Sequence, residues 1–294
     1  MEIGFIGLGA MGMPMARNLA LKLEVRPRVY DANPQALEAA SDWATICGSP
    51  KEVAERGGVI MSMLPADRHV REVALGPDGV IAAQAQDALY ADFSTISPDT
   101  IQEVGARLAE RGIKTVGGAV TLGVPAAQKG TLTVYVDGDE ADVAAGRPAF
   151  SAFAETILHM GKLGNAKLIK LMNNYLAALN VALTGEALAI GTKAGIDVAT
   201  LVKILEQGSA DSFILRNHYE KFYLKDDIGP GKFGTDYMIK DVNILLDYCR
   251  RAHKPLMLGG VALSLYRAVS AAGYGKHYYP VILKWLQETT EVRG

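Results

Sequence analysis

The chain has 294 residues, of which 49% are hydrophobic and 21% charged, and its formal net charge at pH 7 is −2. These values are typical of a globular protein long enough for two domains, and no cluster of Lys and Arg interleaved with aromatic residues points to a nucleic-acid partner. Cys47 and Cys249 lie far apart without histidines at metal-ligand spacing, which predicts neither a zinc site nor a disulfide framework. With no basic leader before the first strand, the composition predicts a cytoplasmic protein.

The first predicted element is a short buried strand over Ile3–Ile6, and a glycine-rich turn follows it directly. Gly7, Gly9 and Gly12 have the G-x-G-x-x-G spacing that leads from a strand into a helix. The free amides at such a turn face a diphosphate, and the positive end of the helix dipole favours its charge. The pattern therefore predicts a dinucleotide site, although a glycine-rich turn without a ligand has the same local sequence.

Asp31 strengthens the prediction of a dinucleotide site. It ends a second predicted strand, Arg28–Tyr30, at about the 20-residue distance from the glycines where a carboxylate binds the adenosine ribose hydroxyls. The same carboxylate would repel the additional phosphate of NADP, which predicts NAD as the cofactor and makes NADP the weaker candidate. Arg28 lies close enough in sequence to be an alternative partner for that phosphate.

Short apolar runs alternate with amphipathic stretches as far as about Gly161, which predicts a Rossmann domain with a doubly wound, mainly parallel sheet. Its remaining strands are predicted at Val59–Leu64, Ala88–Asp92, Thr115–Val120, Leu132–Val136 and Thr156–His159. Helices between the strands are predicted at Pro34–Ala40, Lys51–Arg56, Ser97–Arg111 and Glu140–Ala152. Because such sheets bind ligands at the carboxyl ends of their strands, Leu64, Pro65 and Thr95 are predicted cofactor contacts. Ser97 before Pro98 is instead typical of a helix N-cap.

After Gly161 the strand patterns disappear and only helical patterns follow. Helices are predicted at Asn165–Gly195, Val198–Gln207, Phe213–Phe222, Thr235–Arg251, Pro255–Ala272 and Pro280–Glu288. We therefore predict a Rossmann domain over residues 1–163 and an all-helical substrate and dimerisation domain over residues 164–294, joined by the long first helix. Charged residues interrupt the apolar run of that helix, which favours burial inside a helical domain over a membrane span.

The start of the long helix carries polar residues that an apolar helix does not need. Lys170 and Asn174 are four residues apart and share one face, with Asn173 beside them. An ammonium and an amide next to a dinucleotide-binding domain suit proton transfer to a substrate oxygen, whereas a solvated face with an i,i+4 pair explains the same spacing. Lys167 lies on this face too, so spacing does not choose between the lysines.

Five blocks in this order resemble the β-hydroxyacid dehydrogenase family, which includes 3-hydroxyisobutyrate dehydrogenase and tartronate semialdehyde reductase. They are the glycine-rich residues 4–12, residues 92–98, residues 130–132 with the upstream loop, residues 170–174, and the pair Lys240 and Asp241. The resemblance extends over essentially the whole chain. It implies an NAD(P)-dependent oxidoreductase that interconverts a small anionic 3-hydroxyacid and its aldehyde or keto form, usually as a homodimer or homotetramer.

The resemblance also implies the roles of individual residues. Lys170 would be the general acid/base, Asn174 would orient the substrate, and Asp241 would be structural. Replacing Lys170 by Ala should therefore lower kcat strongly, and replacing Lys167 should do little by comparison. The implied substrate contacts are Thr121, Leu122, Gly123, Asn173 and Lys240. The cofactor contacts are Gly7, Leu8, Gly9, Ala10, Met11, Gly12, Asp31, Leu64, Pro65, Thr95 and Lys240.

One position departs from the family pattern. The family's substrate loop falls on residues 119–123, and Leu122 stands where a glycine usually lets backbone amides close on the substrate carboxylate. This departure predicts that 3-hydroxyisobutyrate is a poor substrate and that the preferred one has a different polar or acidic end. Two rival functions are an imine reductase on the same scaffold and a dinucleotide-binding sensor without turnover. The pair of Lys170 and Asn174 disfavours both, because a sensor needs no proton donor and imine-reducing relatives usually lack this lysine.

Overall fold

The computed structural model describes residues 1–85 and 87–290. The chain divides into two compact units, Met1–Lys170 and a second unit that begins at Leu171. The sequence predicted the boundary between residues 163 and 164, whereas the contacts assign residues 164–170 to the first unit as well. Within these residues Ala166 and Lys167 are fully buried, which explains why the start of the long helix belongs with the sheet.

The first unit is built on an eight-stranded sheet with helices. Its strands are β1 Ile3–Ile6, β2 Arg28–Tyr30, β3 Thr45–Ile46, β4 Val59–Ser62, β5 Leu89–Asp92, β6 Lys114–Thr121, β7 Leu132–Asp137 and β8 Ala154–His159. Their order in the sheet is β3-β2-β1-β4-β5-β6-β7-β8. The helices of this unit are α1 Gly12–Leu23, α2 Pro34–Ala40, α3 Pro50–Ala54, α4 Asp67–Leu75, α5 Pro98–Ala109, α6 Gly123–Lys129 and α7 Glu140–Phe150.

The sheet confirms the predicted doubly wound, mainly parallel architecture. Strands β1, β4 and β5 are buried along their whole length, as expected for central strands covered by helices on both faces. The single antiparallel pair is β6 with β7, in which Gly117 lies opposite Asp137. Because β1, β4 and β5 run in the same direction, their carboxyl ends lie at one edge of the sheet, where ligands of such folds bind.

Three of these elements, strand β3 and helices α4 and α6, were not predicted from the sequence. Strand β3 has only two residues, both exposed, so no alternation could reveal it. Helix α6 occupies a stretch that was treated as a loop, and it is bounded by Leu122 and Gly130 in left-handed conformations. The predicted N-cap is confirmed at α5, where the Ser97 side chain accepts a hydrogen bond from the Asp99 amide.

The second unit is helical, as predicted. The long helix α8 Asn165–Lys193 leads into it and is followed by α9 Val198–Leu205, α10 Thr235–Arg251, α11 Met257–Val269 and α12 Ile282–Thr290. The predicted helix over residues 213–222 contains a π-helical turn, Leu215–Glu220. The core of this unit includes Val181, Leu188, Tyr219, Tyr266 and Ile282.

Helix α8 is less buried than the sequence predicted. By length and composition it could cross a membrane, and 33% of its most apolar window is buried. Leu176, Leu183 and Ile190 are 57%, 60% and 73% exposed. Lys167 and Asn174 of the same helix are buried among hydrogen-bonding partners, which favours packing within the protein over contact with lipid. Packing within the single chain therefore leaves an apolar face of α8 exposed.

Candidate functional site

The glycine-rich turn between β1 and α1 has the geometry of a pyrophosphate cradle. A Cβ on Gly7 would lie 2.4 Å from the Met63 carbonyl oxygen, and one on Gly12 would lie 1.8 Å from the Gly7 carbonyl oxygen. Gly7 also has φ +94°, which favours glycine. A Cβ on Gly9 would meet no atom within 4 Å. Packing therefore requires the first and third glycines, and the second faces open space where a diphosphate fits.

The Asp31 carboxylate is held at the end of β2 by two backbone amides. The Leu8 amide donates to Oδ2 at 2.6 Å, and the Asn33 amide donates to Oδ1 at 2.7 Å. Each carboxylate oxygen has a further lone pair, so the group can still accept hydrogen bonds from ribose hydroxyls. Arg28 donates to the Glu52 carbonyl oxygen at 2.6 Å and 3.2 Å. The Arg28 guanidinium is therefore engaged by the Glu52 backbone. This contact disfavours Arg28 as an alternative partner for the additional phosphate of NADP.

The loops that follow β4 and β5 are joined by one hydroxyl. Ser94 Oγ accepts from the Leu64 amide at 2.8 Å and donates to Asp92 Oδ2 at 2.7 Å. Pro65 and Thr95, the predicted cofactor contacts, are the next residues of these two loops. The shared hydroxyl therefore sets the spacing of the loops at the carboxyl edge of the sheet.

Lys167 is fully buried at the same edge. Its Nζ lies 2.6 Å from Asp92 Oδ1 and within 2.8 Å of the carbonyl oxygens of Asp92, Ser94 and Gly118. Asp92 is also fully buried, and its Oδ2 accepts from Ser62 Oγ at 2.6 Å. The expectation that replacing Lys167 would do little concerned kcat and stays a prediction. Replacing it should nevertheless lower stability, because removing one partner leaves the other charge buried and unpaired.

The first turn of α8 is also capped from the sheet. Asp137, at the end of β7, accepts hydrogen bonds from the Gly164 and Ala166 amides at 2.9 Å and 2.6 Å. Burial raises the pKa of this carboxyl, while those amides and the Lys167 charge act in the opposite direction. Its negative charge complements the positive end of the helix dipole. Asp137 and Lys167 together attach the start of α8 to three strands, β5, β6 and β7.

Lys170 follows Lys167 by one turn on α8 and is half-buried. It lies in the part of the helix that packs with the first unit. Spacing alone left the two lysines equivalent. In the structure Lys167 is fully buried, whereas Lys170, one turn further along α8, is half-buried. That position suits a side chain that exchanges a proton with a substrate.

In the second unit, three of the predicted residues are connected to Asp241, two through hydrogen bonds and one through an ion pair. The Asn174 amide donates to Asp241 Oδ2 at 2.5 Å, and Asn173 donates to Asn174 Oδ1 at 3.1 Å. Lys240 Nζ lies 3.0 Å from the other Asp241 oxygen. Asp241 is 1% exposed. It therefore fixes both the rotamer of Asn174 and the position of the Lys240 charge.

Leu122 has a backbone conformation that favours glycine. Its φ is +77° and its side chain is 61% exposed. Thr121 Oγ1 donates to the Thr133 carbonyl oxygen at 3.3 Å, and Gly123 also has a positive φ, +70°. Leu122 therefore adopts the left-handed conformation at a cost in backbone strain. What the leucine adds to the loop is an exposed isobutyl group.

Four functional positions escaped the sequence reasoning: Ser62, Asp92, Asp137 and the buried role of Lys167. A signal existed for one pair, since Asp92 ends a buried strand and Lys167 lies in the apolar start of a helix. Buried charges of opposite sign are expected to pair. Their partnership could still not be deduced without the tertiary fold. In the ranges 1–85 and 87–290, no group of three His, Cys, Asp or Glu could hold a metal ion.

Comparison with known families matches both units. Residues 2–161 match the NAD binding domain of 6-phosphogluconate dehydrogenase. Residues 164–286 match a family described as NAD-binding of NADP-dependent 3-hydroxyisobutyrate dehydrogenase. Together these matches span nearly the whole chain.

Individual relatives are similar over their full length. The 2-(hydroxymethyl)glutarate dehydrogenase of Eubacterium barkeri is 33% identical, covering 99% of this chain and 96% of that protein. The NAD-dependent L-serine dehydrogenase of Pseudomonas aeruginosa is 32% identical, covering 98% of each. A Mycobacterium tuberculosis 3-hydroxyisobutyrate dehydrogenase, solved with L-serine, superposes with a TM-score of 0.89 at 27% identity, covering 98% of this chain and 100% of that one.

Proposed function

The chain belongs to the β-hydroxyacid dehydrogenase family and is an NAD(P)-dependent hydroxyacid dehydrogenase, and we propose that Lys170 is the general acid/base with which it interconverts a small 3-hydroxyacid and its aldehyde or keto form. One observation carries the proposal. Lys170 lies one turn after a lysine that is bonded to the carbonyl oxygens of Asp92 and Ser94. The general acid/base is thereby attached to the sheet edge that carries the dinucleotide-binding loops.

The chain's residues divide the work as follows. The Gly7–Gly12 turn binds the pyrophosphate, and Asp31 binds the adenosine ribose. A bound nicotinamide supplies the hydride acceptor for oxidation and the hydride donor for reduction. Lys170 Nζ removes the hydroxyl proton during oxidation and returns it to the carbonyl oxygen during reduction. Asn174, one turn further along α8, uses the second N–H of its amide to orient the substrate while Asp241 holds the first.

A panel of small hydroxyacids tests the proposal, with NADH formation as the readout. Lys170→Ala should lower kcat by roughly 10²- to 10⁴-fold, the usual contribution of a positioned acid/base, with nearly unchanged NAD affinity. Lys162→Ala is the matched control, because Lys162 is an exposed lysine that closely precedes α8. Wild-type kcat in the Lys170→Ala variant would contradict the proposed role. Binding of NAD without turnover of any panel member would instead favour a sensor.

NAD is the proposed physiological cofactor. The Asp31 carboxylate would repel the additional phosphate of NADP, and the Arg28 guanidinium that could offset this repulsion is bound to Glu52. We expect kcat/KM to be larger with NAD than with NADP. A larger value with NADP would show that another cation serves that phosphate.

The proposed substrate has a different polar or acidic end from that of 3-hydroxyisobutyrate. Leu122 adds an exposed isobutyl group to the loop, and losing one charge-assisted hydrogen bond to a carboxylate would cost about 1.5 to 3 kcal/mol. We therefore expect 3-hydroxyisobutyrate to be a poorer substrate than 2-(hydroxymethyl)glutarate, on which the Eubacterium barkeri relative acts by its name. Leu122→Gly should shift preference toward 3-hydroxyisobutyrate. Micromolar KM for 3-hydroxyisobutyrate in the unmodified protein would contradict the role of Leu122.

A homodimer or homotetramer in the cytoplasm is also proposed. Leu176, Leu183 and Ile190 repeat every seven residues along α8 and are exposed, so they form one apolar stripe. Antiparallel pairing of two copies about Leu183 would place Leu176 opposite Ile190 and Glu186 opposite Asn180, with no like charges facing each other. Light scattering should show that Leu183→Glu dissociates the assembly. Leu21→Glu, at a 67% exposed position of α1, should not.

A further inference from the structure

The buried Lys167 and Asp92 pair is more extensively bonded than capping the start of a helix requires. Asp137 already accepts from the Gly164 and Ala166 amides, so the helix N-terminus has its acceptor. Lys167 Nζ nevertheless has four acceptors within 2.8 Å, contributed by Asp92, Ser94 and Gly118. These atoms belong to β6 and to the carboxyl end of β5. The bonds therefore fix the rotation and depth of the first turn of α8, within the first unit, at the sheet edge.

Burying an ammonium and a carboxylate carries a large desolvation free energy, which apolar side chains do not incur. Both side chains are 0% exposed, and an apolar pair of similar volume is often equally stable or more so. A buried ion pair is therefore best explained by a need for the fixed geometry that it imposes on the elements it joins. Proton transfer has that requirement, because a displacement of about 1 Å at the reacting atoms lowers rates by roughly a hundredfold.

We infer that Lys167 and Asp92 are positioning residues, which hold the first turns of α8 so that Lys170 meets the substrate at the carboxyl edge of the sheet. This inference rests on the proposed acid/base role of Lys170. The same network reaches the cofactor loops, because Asp92 accepts from Ser94 Oγ and Ser94 Oγ accepts from the Leu64 amide. One buried ion pair thus sets the register between the proton-transferring helix and the loop after β4.

The test separates positioning from stability with a charge-balanced double variant. Lys167→Met alone would leave the Asp92 charge unpaired in the core, so it is combined with Asp92→Asn. The double variant leaves no unpaired charge but removes the donor to three buried carbonyl oxygens, so its thermal midpoint should fall, and kcat is therefore compared with a control that is also destabilised. The kcat of the double variant should fall roughly tenfold to a hundredfold, while the Kd for NAD, measured by calorimetry, should stay within about threefold because the glycine turn and Asp31 are untouched.

Tyr90→Phe is the matched control. Tyr90 OH lies 2.7 Å from Ser62 Oγ at the far end of the network and is buried, and the hydrogen bonds of Lys167 go to Asp92, Ser94 and Gly118 instead. Removal of the Tyr90 hydroxyl should lower the thermal midpoint and leave kcat unchanged. An equal loss of kcat in Tyr90→Phe and the double variant would show general loosening and overturn the inference.

Lys170→Ala distinguishes the remaining outcomes. A large loss in Lys170→Ala together with wild-type kcat in the double variant would overturn the positioning role and leave the proposed function standing. Wild-type kcat in Lys170→Ala would overturn the proposed function and, with it, the positioning role. A large loss in Lys170→Ala, an intermediate loss in the double variant and no loss in Tyr90→Phe would support both.

Discussion

The two units of the chain bury their polar groups in different ways. In the first unit, Lys167 and Asp92 are fully buried as an ion pair at the sheet edge. In the second unit the buried polar groups include, besides Asn174, Thr235 and Asp241, the hydroxyls of buried tyrosines. Tyr219 OH and Tyr266 OH donate to backbone carbonyl oxygens of α8 at 2.6 Å and 2.9 Å, and burial raises the pKa of both hydroxyls well above the usual value.

Under the proposed function, the ion pair of the first unit positions the start of α8, whereas the buried tyrosines of the second unit contribute to packing. A buried ion pair is rigid because each charge needs the other, and it stands where the proposed chemistry needs fixed geometry. A buried tyrosine contributes a large apolar surface together with a single hydrogen bond. It can lose its hydroxyl without leaving a charge behind. The chain offers a direct probe of each unit, because Trp43 lies in the first and Trp285 in the second.

The largest expected effect comes from breaking the ion pair. Asp92→Ala leaves the Lys167 ammonium buried without its counterion and should lower the free energy of unfolding of the first unit by about 3 to 5 kcal/mol. Tyr219→Phe should lower that of the second unit by only about 1 kcal/mol. Urea unfolding followed by Trp43 fluorescence in a Trp285→Phe background, and the reverse, measures each value. Equal losses would remove the distinction between the two interiors.

A smaller effect, which depends on pH, is expected from the second unit. Burial lowers the pKa of His218 to about 4 from 6.5, and its Nδ1 lies 2.5 Å from Tyr278 OH. Because the folded pKa is the lower one, the stabilisation is present above pH 6.5 and is lost as the pH falls toward 4. The loss should be on the order of 3 kcal/mol.

Unfolding curves at pH 7.5, 5.5 and 4, read at Trp285, test the His218 effect. His218→Gln does not titrate in this range, so its stability should change less between pH 7.5 and 4 than that of the wild type. An identical pH dependence in both proteins would assign the acid sensitivity to other groups.

The smallest effect is expected from the strained loop of the first unit. A leucine with φ +77° costs about 1 to 2 kcal/mol relative to glycine, and glycine loses roughly 0.5 to 1 kcal/mol through its greater freedom in the unfolded chain. Leu122→Gly should therefore raise the free energy of unfolding by up to about 1.5 kcal/mol. Leu21→Gly, in the right-handed backbone of α1, should instead lower it. A rise in the free energy of unfolding for Leu122→Gly and a fall for Leu21→Gly, both measured by Trp43 fluorescence, would establish backbone strain at Leu122.

Much of the first unit could be predicted from the sequence because its signals are local. The bounds of β1, β2 and α2 agree with the predicted ones, since short apolar runs, a glycine turn and an Asn-Pro start are encoded within a few residues. Strand β3 was missed because two exposed residues have no period. Helix α6 was missed because a left-handed leucine at its start is unusual.

The candidate site was predictable only in part for the same reason. Gly7, Gly9, Gly12 and Asp31 were identified by spacing, because the turn and the strand end that carry them are consecutive in the chain. Asp137 gave no signal, since it caps a helix that begins 27 residues later, at the Gly164 amide. Contacts at that separation depend on how the strands are ordered in the sheet.

The amino-acid sequence by itself determined the Rossmann unit, the helical unit, the glycine turn and one helix face that carries Lys167, Lys170 and Asn174. These follow from the period of apolar residues and from turn chemistry, which act over a few residues. Only the tertiary structure decided which lysine is buried. Lys167 is bonded to Asp92, 75 residues earlier in the chain, and that choice depends on β5 ending beside the start of α8. The helical period places both lysines on one face of α8, and only the position of the sheet edge determines that Lys167 is the buried one.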